Sequence, residues 1–158
     1  MLKPKFIAHS AVIAAAYAVL TLSLPMWSYG PVQVRAAEAF TLLAGFTPAA
    51  IPGLYIGCLV SNIYTGNITD IIFGSLTTLV AAFLSYKLRK KPWLVPLPPV
   101  ILNALIVGFY LTYQYGGLMY INMLTVGAGQ LIACYVIPCY FIINFKKFSE
   151  RIRPYIQY

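Results

Sequence analysis

Almost all of the charge in this sequence is confined to three short basic clusters, and the stretches between them are nearly uncharged. Ten of the eleven Lys and Arg residues lie at residues 3–5, 87–91 and 146–153. A chain that is 61% hydrophobic and only 9% charged has too few polar side chains to cover the surface of a water-soluble domain. The pattern therefore excludes a soluble enzyme and a disordered chain. It predicts an integral membrane protein that forms one domain over residues 1–158.

The three clusters also predict how the chain is oriented. Basic residues accumulate on the cytoplasmic side of membrane segments, so all three clusters and both termini are expected in the cytoplasm. Consecutive clusters on one side of a membrane require an even number of crossings between them. The net charge of +8 is thus an orientation signal and gives no support for nucleic-acid binding.

Six apolar segments give an even number of crossings between each pair of consecutive clusters. Residues 6–24 carry no charge and can span a hydrocarbon core about 30 Å thick, and they are too long for the apolar region of a typical signal peptide. The stretch 34–64 is interrupted by Gly45 and Pro48, which predicts two short segments. Three more segments are predicted at residues 71–86, 100–113 and 123–145. The predicted fold class is therefore all-α: a six-helix transmembrane bundle whose second and third segments are short or re-entrant.

A stripe of alanines runs along the first segment. At about 100° per residue the four alanines fall within an arc of roughly 80°, so one face of the helix is smooth. Small residues at this spacing let another helix approach closely. The stripe could pack within the same bundle, but it points away from the polar residues described next, which favours a docking partner. Its members are Ala8, Ala11, Ala15 and Ala18.

Arg35, Glu38 and Asp70 are the Arg, Asp and Glu residues outside the basic clusters, and the topology places them toward the outer side. An ionisable group at a membrane segment is costly, so a functional role is the first hypothesis. Arg35 and Glu38 could simply pair on one helix face. We favour instead a donor and an acceptor for a polar ligand, because the two residues flank the shortened, broken segment. Asp70 could equally be a first-turn acid that interacts favourably with the helix dipole.

Neutral amides and aromatic side chains could complete a ligand site. The amides Asn62, Asn103 and Gln130 lie within apolar segments, where they could also serve as interhelical hydrogen bonds. Trp27 and Tyr29, in the first outer loop, could stack on a planar ligand, although most aromatics near the outer ends fit an interfacial belt. The predicted substrate-binding residues are Arg35, Glu38, Asn62, Asp70, Asn103, Gln130, Trp27 and Tyr29.

The sequence shows no catalytic, metal or cofactor motif. Cys58, Cys134 and Cys139 lie in apolar stretches and are predicted to be small buried hydrophobes. His9 has no ligand-spaced partner, and no phosphate-binding G-x-x-x-x-G-K-[ST] is present. We therefore expect no enzyme activity, no metal and no cofactor, and the chain lacks its own means of using ATP.

Several runs of the sequence resemble the QueT family of integral membrane proteins. They are V-Q-V-R-A-A-E-A at 32–39, F-T-P-A-A-I-P-G-L at 46–54, G-C-L-V-S-N at 57–62, D-I-I-F-G-S-L at 70–76 and P-P-V-I-L-N-A at 98–104. The resemblance implies the substrate-binding S component of an energy-coupling factor (ECF) transporter in the cell membrane. Such a subunit has six helices and works with a transmembrane T subunit and two cytoplasmic ATPases. The resemblance also implies that the T subunit docks on an AxxxA surface, here Ala11 and Ala15.

The resemblance implies a ligand class as well. QueT proteins are associated with queuosine precursors, which are 7-deazaguanines, and near relatives with cobalamin. A guanine-like edge offers N–H donors to Glu38 and a carbonyl to Arg35. Gln130 stands where the family leads us to expect a glutamate, which weakens a cationic aminomethyl substrate and leaves room for a neutral precursor or for cobalamin. A function of a different class is also open, namely a stand-alone carrier or channel driven by an ion gradient. Such a protein needs titratable groups along its pathway, and only Glu38 and Asp70 would be available for that role.

Overall fold

A computed structural model describes residues 3–29 and 34–156, so Val32 and Gln33 of the first quoted run lie outside the described residues. Within these ranges the chain is helical and contains no β-strand. Its elements are α1 (Pro4–Ser23), a single turn (Pro25–Ser28), a 3₁₀ helix (Ala36–Gly45), α2 (Ala50–Thr65), α3 (Asp70–Lys87), α4 (Pro92–Tyr115), α5 (Met119–Val136), α6 (Cys139–Ile143) and α7 (Phe145–Ile156).

Four of these helices, namely α1, α3, α4 and α5, are long and apolar enough to cross a membrane. The 3₁₀ helix and α2 are apolar but shorter, with ten and 16 residues. The prediction of an all-helical membrane protein is confirmed for the described residues. The count of six crossings and the cytoplasmic location of both termini stay predictions.

Prolines mark the two main interruptions of the bundle. Pro48 separates the 3₁₀ helix from α2, as the sequence predicts. The segment predicted over residues 123–145 is not one continuous helix, because α5 ends at Val136 and α6 begins only at Cys139. Pro138 lies in this gap, and proline removes a backbone N–H and clashes with the preceding turn, so the helix is broken there.

Two glycines of α2 allow α1 to pack closely against it. A Cβ atom added to Gly57 would lie 2.7 Å from the carbonyl oxygen of Ala14 and 2.8 Å from Cβ of Tyr17. A Cβ added to Gly53 would lie 2.8 Å from the carbonyl oxygen of Ser10. This contact buries one face of α1, including the aromatic ring of Tyr17, in the cluster that also contains Cys58.

We expect Gly57→Ala to lower the free energy of unfolding by about 1–3 kcal/mol, because the added methyl group meets backbone that cannot move aside without separating α1 from α2. Denaturation of the purified chain in detergent measures the change. Gly127→Ala is the matched control, since a Cβ there meets only Cβ of Ala104, at 3.3 Å. Equal stability of Gly57→Ala and the wild type would contradict the close packing described above.

The alanine stripe lies on another side of α1. Ala8, Ala11 and Ala15 are exposed and Ala18 is half-buried, whereas the buried residues of α1 face α2. Ala8, Ala11 and Ala15 therefore face away from the described elements of this chain, whereas Ala18 is partly covered by them.

Candidate substrate site

Four of the predicted site residues are buried polar side chains where the 3₁₀ helix, α2 and α3 meet. Arg35, Glu38, Asn62 and Asp70 are each at most 4% exposed. Because burying a polar or charged group is costly unless it is hydrogen-bonded, the partners of each side chain indicate what the site is built for.

Glu38 lies in the first turn of the 3₁₀ helix and is completely buried. Its Oε1 atom accepts a hydrogen bond from the hydroxyl of Tyr17 on α1, at 2.5 Å. Its backbone carbonyl accepts one from the Thr41 hydroxyl, at 2.6 Å. The second carboxylate oxygen, Oε2, has no hydrogen-bond partner.

Arg35 precedes the 3₁₀ helix in an extended conformation, so it does not share a helix face with Glu38. Its Nε donates to the carbonyl oxygen of Ser28 at 3.4 Å, and its Nη1 contacts Sγ of Cys58 at 3.7 Å. Its Nη2 atom has no hydrogen-bond partner. The contacts of Arg35 and Glu38 therefore go to different groups, unlike those of a simple Arg–Glu pair.

Tyr29 extends the site toward the loop between α1 and the 3₁₀ helix. The guanidinium of Arg35 lies 5.1 Å from the centroid of the Tyr29 ring, within the range of a cation–π contact. Burial raises the pKa of Tyr29 to about 12, although the nearby Arg35 acts in the opposite direction. The hydroxyl is therefore protonated at neutral pH and can donate a hydrogen bond, and it too is buried without a partner.

The thiol of Cys58 connects three sides of the site. Besides Arg35, its Sγ atom accepts from Nδ2 of Asn62 at 3.4 Å and from the hydroxyl of Thr78 at 3.3 Å. The Asn62 amide also donates to the carbonyl oxygen of Asp70 at 2.8 Å and to the hydroxyl of Ser75 at 3.1 Å. These bonds fix the amide orientation and leave Oδ1 of Asn62 buried and unpaired.

Asp70, in contrast, has both carboxylate oxygens occupied. Oδ1 accepts a hydrogen bond from the hydroxyl of Tyr110 on α4, and Oδ2 accepts from Nδ2 of Asn67 at 2.8 Å. Asp70 is indeed a first-turn acid, as one interpretation of the sequence held, and it also ties α3 to α4. It begins a π-helical turn over Asp70–Gly74, a distortion that is frequent at functional sites.

Four buried side-chain atoms of the described residues thus lack a hydrogen-bond partner, and all belong to this site. They are the Tyr29 hydroxyl, Arg35 Nη2, Glu38 Oε2 and Asn62 Oδ1. Leaving such an atom unpaired costs about 1–3 kcal/mol, so native structures rarely do so without a reason. The set can donate through Arg35 and Tyr29 and accept through Glu38 and Asn62. It is suited to a polar ligand that carries both donors and acceptors.

The remaining predicted residues are less closely connected to these atoms. Gln130 is buried and is linked to Glu38 by Cys134, whose Sγ lies 3.6 Å from Gln130 Oε1 and 3.7 Å from the Glu38 carbonyl oxygen. Asn103 is buried but donates within its own helix, to Pro99. Trp27 is 64% exposed, unlike the buried polar side chains of the site.

Sequence reasoning missed several residues that hold the site together. Tyr17 could have been found, because it and the hydroxyl residues Ser10 and Thr21 form a polar stripe on an otherwise apolar helix. Cys58 is buried, as predicted for the cysteines, but its role as a hydrogen-bond acceptor is new. Cys139 is exposed, which corrects the prediction for that residue. It begins α6 directly after the break at Pro138.

The described part of the chain also lacks the side-chain clusters that bind metal ions. Across residues 3–29 and 34–156 no group of three or more His, Cys, Asp or Glu side chains is placed to hold an ion.

Comparison with known proteins decides the family. The family model described as QueT transporter matches residues 7–147, which include every residue of the site. The chain belongs to the QueT transporter family. It is therefore a multi-pass membrane protein of a transporter family, and the resemblance seen in the sequence is confirmed.

Within the QueT family, a protein of Lactococcus lactis subsp. cremoris (strain MG1363) is named Queuosine precursor transporter QueT. It is 42% identical to this chain over 72 residues, which are 44% of this chain and 43% of the relative. The match thus spans less than half the length of either protein. No solved structure shows a significant match.

Proposed function

We propose that this chain is the substrate-binding S component of an ECF importer and that it binds a queuosine precursor with a 7-deazaguanine ring. The observation that carries the proposal is the set of four unpaired polar atoms on Tyr29, Arg35, Glu38 and Asn62, buried within a member of the QueT family. The name of the Lactococcus lactis relative, a queuosine precursor transporter, supports the same ligand class.

The unpaired atoms complement a guanine-like edge. A carboxylate can accept hydrogen bonds at both oxygens, so Glu38 can receive the ring N–H and the amino group of the ligand. Arg35 Nη2 and the Tyr29 hydroxyl can both donate to the ligand carbonyl. Asn62 Oδ1 then accepts from a remaining N–H of the ligand, and the four unpaired atoms all gain a partner.

The charges of the site favour a neutral precursor over a cationic aminomethyl derivative. Arg35 supplies one positive charge and Glu38 one negative charge with a free oxygen. The carboxylate of Asp70 already accepts hydrogen bonds at both oxygens, and Gln130 is neutral. Because the guanine-like edge of the ligand would occupy Glu38, no second free carboxylate is left among these residues to pair with an added ammonium group.

Energy for import would come from partners, since the sequence contains no phosphate-binding G-x-x-x-x-G-K-[ST] motif. In the proposed assembly, residues 1–158 form a single six-helix S-component domain in the cytoplasmic membrane, with both termini in the cytoplasm. A T subunit docks on the exposed alanine stripe of α1, and two ATPases bind the T subunit.

Calorimetric titration of the purified chain in detergent tests the ligand. A neutral 7-deazaguanine base is expected to bind at least about tenfold more tightly than its 7-aminomethyl derivative, because one uncompensated charge interaction is worth on the order of 1.4 kcal/mol or more. Cobalamin is expected not to bind. Tight binding of cobalamin, with no binding of either base, would contradict the proposal that the substrate is a 7-deazaguanine.

Co-purification from native membranes tests the transport class. We expect ATPase subunits to be recovered with the chain. Uptake of the base that survives deletion of every ATPase partner would instead establish a stand-alone carrier driven by an ion gradient.

A further inference from the structure

Two basic clusters that lie far apart in the sequence come together in the fold around one concave site. We call this site the basic cleft. It has a volume of about 190 Å³ and lies between the segment that follows α3 and the beginning of α7. The residues that matter for its chemistry are Arg89, Lys90, Lys146, Ser149 and Glu150.

The cleft is held in shape by buried contacts at its base. Phe145, which is 6% exposed, stacks on Phe46 with ring centroids 4.2 Å apart. Gly45 makes room for this ring, since a Cβ there would lie 2.9 Å from it. The first turn of α7 is therefore fixed against the rest of the bundle, and with it the position of Lys146.

Arg89 is positioned on the opposite wall. Its guanidinium lies 4.1 Å from the centroid of the Tyr86 ring, and its Nη1 donates to the carbonyl oxygen of Tyr86 at 3.1 Å. These contacts use only part of the five-donor fork, so other N–H groups of Arg89 can bind a ligand.

Positive charge dominates this end of the bundle. Among the described residues at the end of α3, in the segment after it and in α7, Glu150 is the one carboxylate, and the exposed cations outnumber it; they are Lys87, Arg89, Lys90, Lys91, Lys146, Lys147 and Arg151. Like charges held this close repel one another, and a bound anion would relieve the repulsion.

Aromatic side chains place the cleft at the depth of lipid headgroups. Trp93 is 60% exposed on the segment that lines one side of the cleft, and Tyr140 is 62% exposed just before α7. Exposed Trp and Tyr concentrate at the membrane–water interface. The neighbouring surface of α3 is apolar, with Phe83 48% exposed, as expected for a helix in contact with acyl chains.

We propose that the basic cleft binds the phosphate of an anionic lipid headgroup. Arg89 offers donors in a planar fork that suits phosphate oxygens, and Lys90 and Lys146 add point charges from either side. The Ser149 hydroxyl can donate a further hydrogen bond. Glu150 supplies a carboxylate that can accept a hydrogen bond from a headgroup hydroxyl, as in phosphatidylglycerol.

Native mass spectrometry of the full chain tests this proposal. The detergent-purified protein is mixed with equal amounts of phosphatidylglycerol and phosphatidylcholine that have the same acyl chains, and the bound lipid is counted. The wild type is expected to retain phosphatidylglycerol preferentially. Lys90→Gln combined with Lys146→Gln is expected to weaken that binding about 30-fold, or about fivefold for each cation removed.

Lys87→Gln combined with Lys91→Gln is the matched control. It removes the same charge from the same end of the bundle but from outside the cleft, and we expect a loss of at most about twofold. All four lysines are exposed, so neither pair should disturb folding, and size-exclusion profiles verify this. An equal loss of phosphatidylglycerol binding in both double variants would contradict a specific site in the cleft and would indicate diffuse attraction to any anionic surface.

A competition experiment distinguishes a lipid phosphate from a free phosphate ion as the ligand of the cleft. Inorganic phosphate at about 10 mM, matched in ionic strength with chloride, is expected not to displace the lipid, because its acyl chains contribute to binding. Displacement by phosphate alone would overturn the lipid in favour of a soluble phosphate ligand. Absence of any lipid preference, with loss of partner-protein recovery in the Lys90 and Lys146 variant, would assign the cleft to an acidic protein surface instead.

Discussion

Glu38→Gln is expected to weaken binding of a neutral 7-deazaguanine base by about 100-fold or more. Each hydrogen bond to a charged group contributes about 1.5–3 kcal/mol, and the carboxylate is proposed to make two with the ligand. The substituted amide also presents N–H donors toward ligand donors. Its oxygen can still accept from Tyr17, so the contact between α1 and the 3₁₀ helix should persist. Isothermal titration calorimetry measures the change.

Glu150→Gln is the control for this experiment. It removes the same charge from an exposed position on α7, outside the substrate site, and should leave the affinity for the base unchanged. An unchanged affinity in Glu38→Gln, with thermal stability intact, would show that the ligand is recognised elsewhere.

Ala11→Leu and Ala15→Leu are each expected to abolish recovery of the T subunit and the ATPases while leaving ligand affinity within about twofold. Both alanines are exposed, so the larger side chain does not enter the bundle. It would instead hold a docking helix away from the smooth face, where close approach provides the packing energy that replaces a hydrophobic drive in lipid. Pull-down from membranes and calorimetry on the same preparations separate the two effects.

The same substitution at Ala16 provides a strict control. Ala16 is exposed on α1 but points about 120° away from the centre of the stripe. We expect Ala16→Leu to assemble normally. Loss of ligand binding with assembly intact in Ala11→Leu would instead place the stripe at the substrate site, and equal loss of assembly in all three variants would indicate that any added bulk on α1 is disruptive.

Sequence patterns were most informative where one residue type has one dominant physical effect. Uncharged length predicted the helices, and Pro48 predicted the break that precedes α2. Buried Arg35 and Glu38 could be singled out because charges in apolar segments are rare. The same reasoning did not find the break at Pro138, because the apolar stretch over residues 123–145 is long enough for one membrane span despite that proline.

The contacts within the site depend on packing that no local pattern encodes. Tyr110 meets Asp70 across 40 positions of sequence, and Tyr17 meets Glu38 across 21. Arg35 and Glu38, although neighbours in the sequence, turn to different partners because Arg35 lies before the helix begins. Which polar atoms are satisfied and which stay unpaired could be read only from the three-dimensional arrangement.

The 3₁₀ winding of Ala36–Gly45 changes how far a short segment can reach. At about 2.0 Å per residue its ten residues extend roughly 20 Å, whereas an α-helix of equal length would extend roughly 15 Å. Ten residues thus cover about two-thirds of a hydrocarbon core that is about 30 Å thick, instead of half. Glu38 lies near one end of this segment and the turn at Pro48 lies beyond the other, so the 3₁₀ winding sets how far the carboxylate stands from that turn.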